Sequence, residues 1–135
     1  MNKRFVPLCL LTVAVCFVAI GLTNAQERYS KSAFEKVMED ANKNTRILLG
    51  SLIAGDWAKI EASAEALAKD GESMRGLTPK IGTDRMVEFQ AHADSVAVSA
   101  ALIVALAPDR DRVRSAAALG DLVGACMDCH AGFRK

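Results

Sequence analysis

Cys126-Met127-Asp128-Cys129-His130 ends five residues before the C-terminus, and the segments upstream take their meaning from it. Two thiols three residues apart lie about one helical turn from each other, so both can add to the two vinyl groups along one porphyrin edge. The imidazole of His130 follows directly and can reach the iron from one face of the same ring. Cys-x-x-Cys-His is thus the attachment signature of one covalently bound haem c, with Cys126 and Cys129 as thioether donors and His130 as the proximal iron ligand. Two other chemistries use such cysteines. A redox Cys-x-x-Cys follows a strand in a βαβ setting, and no strand pattern is visible here. A zinc site needs more ligands than His130 and the distant His92.

The other end of the chain carries the matching address. Met1-Asn2-Lys3-Arg4 is basic, residues 5–22 are almost entirely apolar, and Thr23-Asn24-Ala25 places small residues where a signal peptidase cuts. Residues 1–25 are expected to be a secretory signal peptide and residues 26–135 the mature domain, located in the periplasm. An uncleaved membrane anchor is the bland alternative, because the apolar run approaches the lower limit for a spanning helix. Cleavage removes Cys9 and Cys16 and leaves Cys126 and Cys129 alone. The 110-residue mature chain has 15 basic and 16 acidic residues, with no basic patch suited to nucleic acid. A chain of that length makes one domain with one modest core.

Glycine and proline divide the mature chain into four segments with helical periodicity. The first spans about 32–53, with a Ser32/Glu35 capping box and an inward stripe through Phe34, Val37, Met38, Ala41, Thr45, Leu48 and Leu52. Gly55 closes it. Asp56 caps the second, about 57–70, which turns Trp57, Ile60, Ala64 and Leu67 inward and ends at Gly71. Residues 71–83 form the one long connection. Thr83 caps the third, about 84–107, with Met86, Phe89, Ala93, Val96, Ala100, Ile103 and Val104 on one face. Pro108 breaks the chain, and Asp109 caps a last helix that runs through the cysteine motif to about residue 132. The expected fold class is all-α, an antiparallel four-helix bundle with the haem near the C-terminus of the last helix.

Composition says the bundle is shaped around a ligand. Twenty of the 110 mature residues are alanine, and only Tyr29, Phe34, Trp57, Phe89 and Phe133 are aromatic. Such a core lacks bulk that a flat hydrophobic group would supply. On the last helix, Val113, Ala116, Ala117, Gly120, Val123, Gly124 and Met127 form a stripe of mostly small residues, which allows close approach of a neighbouring helix. Leu119, Leu122, Cys126 and His130 form an adjoining stripe where the porphyrin is expected to lie.

Extended to Cys126-Met127-Asp128-Cys129-His130-Ala131-Gly132-Phe133-Arg134, the motif resembles the C-x-x-C-H-x-x-F-R ending of class II c-type cytochromes, the cytochrome c prime group. The resemblance implies a left-handed four-helix bundle covering the whole mature chain. High-spin members of that family leave the sixth iron position open beneath an apolar side chain of the first helix and bind small gases there. Low-spin members put a methionine from the same region on the iron and shuttle electrons. Met38, the thirteenth mature residue, matches that position, and the family reading makes it the distal ligand.

The resulting expectation is a one-electron carrier with His/Met-ligated iron, not an enzyme, that works with redox partner proteins. The alternative is a five-coordinate gas-binding protein taking NO or CO, with Met38 merely packed. A peroxidase would need a polar acid–base group beside the iron, and the inward stripe of the first helix offers only apolar residues and Thr45. Related bundles dimerise through their first helices, so the resemblance allows a homodimer. His92 reads as a partly exposed surface histidine. Met74, in the long connection, Met86 and Met127 read as packing residues. Arg134 and Lys135 suit either a haem propionate or the negative end of the last helix, and Arg28 and Arg46 are further propionate candidates.

Overall fold

Residues 30–134 are described by the computed structural model, and both the expected signal peptide and Lys135 lie outside them. The chain forms α1 (Lys31–Ala54), α2 (Trp57–Arg75), a 3-10 turn (Thr83–Arg85), α3 (Met86–Leu106) and α4 (Arg112–Phe133). No strand occurs among the described residues, so the fold is all-α with four helices.

The helix ends differ in places from the sequence expectation, each for a local reason. The N-cap of α1 is Ser30, whose side chain accepts from Ala33 N at 3.4 Å, rather than a Ser32/Glu35 box. At Gly55 the expected stop holds: φ is +76°, and its N–H donates to Ser51 O. Asp56 caps α2 as expected, accepting from Lys59 N. Gly71 does not end α2. The helix continues to Arg75 because Gly71 faces α3, where an added Cβ would lie 2.7 Å from Ala97 N. A glycine that reads as a terminator is therefore a contact that lets two backbones approach, and Met74 lies buried in the helix rather than in a loop. Before α3 the 3-10 turn replaces a Thr83 cap. Before α4 the cap is Asp111, which accepts from Arg114 N at 3.0 Å, and not Asp109.

Leu48, Ile60, Ala64, Leu67, Ala100, Ile103 and Leu122 are fully buried and hold the core together. Full burial of a Leu or Ile side chain contributes roughly 1.5–3 kcal/mol, so a handful of them outweighs every surface ion pair present. Most of this burial joins α2 to α1 and α3, and α3 to α4; α1 and α4 touch far less. With its preceding turn, α3 (Thr83–Leu106, mean hydropathy 1.5) is by length and composition apolar enough to cross a membrane. Its Phe89, Ala93, Val96, Ala100 and Ile103 face is that of a core helix, while Val87, Val98 and Leu102 are exposed.

The two stripes of α4 exchange roles. Ser115, Ala118, Leu119, Leu122, Ala125 and Phe133 are the buried residues. The small-residue stripe looks outward: Val113 is 81% exposed and Met127 66%. Of the adjoining stripe, Leu119 and Leu122 are buried, Cys126 is half-buried and His130 is exposed.

Candidate functional site

At one end of the molecule the helices bring together the start of α1, the start of α3 and the last turn of α4. Phe34 packs against Phe89 with ring centroids 6.0 Å apart, and Phe89 meets Phe133 edge-on at 5.4 Å. His92 stacks edge-on against Phe133 at 6.3 Å, half-buried, with Nε2 4.0 Å from Glu88 Oε1. Edge-to-face geometry places the positive rim of one ring against the negative face of the next, which favours one arrangement of the cluster. It anchors the turn directly after His130.

Cys126 and Cys129 are both free thiols and both half-buried. Cys126 packs against the main hydrophobic core, as does Met38 on α1. Burial pushes the Cys126 thiol up from its usual range; it does the same to Cys129, helped by Cys126 and the Glu88 carboxylate. Both thiols also sit at the C-terminal end of a helix, whose partial negative charge disfavours a thiolate. A redox-active pair needs the opposite on both counts. The His130 imidazole is exposed and engages no hydrogen bond or ion pair among the described residues, while its carbonyl accepts from Arg134 N. No group of three His, Cys, Asp or Glu side chains suited to a metal ion occurs among the described residues.

A groove of about 580 Å³ runs between α4 and the last turns of α1, from Arg112 at the opposite end of the molecule to Met127 within the cysteine motif. Leu49, Leu52 and Ile53 line one wall and Leu119, Val123 and Met127 the other. Leu49 is 51% exposed and Ile53 75%, a state that apolar residues facing each other across two helices normally avoid. Gly120 and Gly124 also line the groove, and an added Cβ at either would meet nothing within 4 Å. Two free thiols on one turn and an unengaged imidazole one residue on are the donor set that a covalently attached haem uses, and the groove reaches that turn at Met127.

Met38 lies on α1 four residues after Phe34 and is half-buried. Thr45, the polar member of that stripe, donates its hydroxyl to Ala41 O at 2.8 Å. Arg46 and Arg134 are exposed. Sequence reasoning missed Arg85, which reaches α4 from the turn before α3, and Glu88, beside it in the first turn of α3. Only the phenylalanine of the Cys-x-x-Cys-His-x-x-Phe run hinted that this turn is gripped from outside.

No known protein family, curated protein or solved structure matches this chain.

Proposed function

We propose that this chain is a periplasmic monohaem c-type cytochrome, an antiparallel four-helix bundle that carries single electrons between redox partner proteins. Cys126 and Cys129 would hold the haem, His130 would be the proximal iron ligand and Met38 the distal one. The observation that carries the reading is the Cys126/Cys129/His130 turn, which the groove between α1 and α4 reaches at Met127. When bound, the haem supplies an iron that takes up and releases one electron.

Helix register supports the choice of Met38. At the far end of the seam an added Cβ on Gly55 would lie 2.5 Å from Arg112 Nη2, so the end of α1 meets the start of α4. Met38 lies 17 residues before Gly55, and His130 lies 18 residues after Arg112. At about 1.5 Å per residue, both are roughly 26 Å from that contact, at about the same level. The aromatic chain from Phe34 through Phe89 to Phe133 gives the same register from the other end.

The residues would then divide the work. The two cysteines would fix the ring to α4, and His130 and Met38 would hold its iron. Val123 and Met127, on α4 beside the cysteines, would help to shield the group from water, and a thioether ligand would favour the reduced state more than a second imidazole does. With its hydroxyl committed to the α1 backbone, Thr45 offers no acid–base group for peroxidase chemistry.

Absorption spectra of the purified protein, oxidised and reduced, with and without carbon monoxide, test the assignment. A split α/β pair on reduction, a weak sulfur-to-iron band in the far red and no shift with carbon monoxide are expected. Broad high-spin bands that shift with carbon monoxide would return Met38 to packing and make the protein a binder of NO or CO.

A further inference from the structure

We propose that Arg85 is a positioning residue for the iron-binding turn of α4, acting through the Gly132 carbonyl and the Phe133 ring. Three contacts converge on its guanidinium. Nη2 donates to Gly132 O at 2.7 Å, across 47 residues of sequence. The guanidinium carbon lies 4.6 Å from the centroid of the Phe133 ring. Nη1 pairs with both carboxylate oxygens of Glu88 at 3.3 Å.

Each contact does something specific. The last carbonyls of a helix have no partner within it, and Gly132 O is one of them. A cation there also faces the negative end of the helix dipole. Phe133 is held from both sides, by Phe89 at its edge and by Arg85 over its face. The turn that presents Arg85 is itself built against the ring: Gly82 has φ +70°, and a Cβ there would lie 2.9 Å from Phe133 Cε1. The planar fork suits this task, since one nitrogen caps the carbonyl while the other holds Glu88; lysine offers a single point charge instead.

Glu88 gives the clamp an electrostatic side. An added Cβ on Gly132 would lie 3.8 Å from Glu88 Oε1, which puts the carboxylate against the same turn. A carboxylate near the haem favours ferric iron and an arginine beside it opposes that, so Arg85 balances Glu88 at the edge of the site. This electrostatic half rests on the haem assignment; the mechanical half does not.

The test compares wild type, Arg85→Ala, Arg85→Lys and Glu88→Gln as purified full-length proteins, by amide hydrogen exchange and by reduction potential. Loss of one charge-assisted cap is expected to raise exchange at residues 131–134 of Arg85→Ala by about tenfold, with the α2 and α3 core amides unchanged. Its potential is expected to fall, that of Glu88→Gln to rise, and Arg85→Lys to keep the potential but not the protection. Unchanged exchange at 131–134 in Arg85→Ala, or equal loss throughout the chain, would overturn the clamp. If Arg85→Ala does not fold, Arg85→Lys decides through its local exchange. A protein purified without haem would refute the haem assignment alone, since the exchange comparison still tests the clamp.

Discussion

The seam between α2 and α3 and the seam between α1 and α4 are built from the same kinds of residue and come out differently. Between α2 and α3, Leu67, Ala93, Val96 and Ala100 are at most 3% exposed, and Gly71 brings one backbone against Ala97 of the other. Between α1 and α4, Leu49, Ile53, Val123 and Met127 stay between 37% and 75% exposed around a groove of about 580 Å³. Small residues close the first seam because a helix lies across them. On α4 the small residues face outward and leave room. The open groove reaches the cysteine motif at Met127. That contrast is compatible with the proposed prosthetic group, which the cysteine motif and not the groove carries.

Substitutions on the two seams test the contrast directly. Leu67→Ala is expected to cost about 2–5 kcal/mol in urea unfolding, as for other fully buried leucines. Ile53→Ala, on the open seam, is expected to cost less than about 0.5 kcal/mol in the haem-free chain. Equal costs would mean that the open seam is closed in solution.

Gly71→Ala probes the tight seam from the other direction. The new methyl group would meet the Ala97 backbone, which cannot swing aside, so a loss of about 1–3 kcal/mol is expected. The same change at Gly120 or Gly124 meets open space and is expected to stabilise α4 slightly, by up to about 1 kcal/mol through helix propensity. Thermal unfolding of the variants separates the two cases.

Ser115 sharpens the account of α4. Its hydroxyl is fully buried with no hydrogen-bond partner, so it carries an uncompensated desolvation cost. Ser115→Ala removes that group at little change in volume and is expected to stabilise by about 1 kcal/mol. A loss of stability would mean that the hydroxyl has a partner in solution.

The smallest effect lies at Asp70, which accepts from Asn44 Nδ2 at 3.0 Å across the α1–α2 contact. Burial raises its carboxyl above the ordinary value of 3.8, with Asp40 adding to the shift and the Asn44 bond opposing it. The folded chain therefore holds that proton more tightly than the unfolded chain. The associated stability is present below the ordinary value and is lost as pH rises through the raised one. Asp70→Asn keeps an acceptor for Asn44 and removes the charge. It is expected to gain up to about 0.5 kcal/mol at neutral pH, where solvent screens most of the effect, and nothing in strong acid. Unfolding midpoints at both pH values check the sign.

The helices were legible in the sequence because their inward stripes repeat with a helical period, and Leu48, Ile60, Leu67, Phe89 and Ile103 lie where that period puts them. Gly71 misled because a chain-breaking glycine and a close-contact glycine look alike until the facing helix is known. The stripes of α4 were assigned by size rather than by burial. Small residues permit close approach but do not require it, and α1 stands off from them across the groove. Cys126, Cys129 and His130 stand out in the sequence by their spacing, and the structure sets them in the last two turns of α4 with both thiols half-buried. Arg85 was not, because a cation capping a carbonyl 47 residues away leaves no local pattern.

The most direct measurement is the intact mass of the protein exported by a host competent in cytochrome c maturation, taken after denaturation and acid–acetone extraction. The haem assignment predicts a chain beginning at Gln26 that carries the added mass of one haem, which is absent when Cys126 and Cys129 are both changed to alanine. A wild-type chain with no added mass would contradict it.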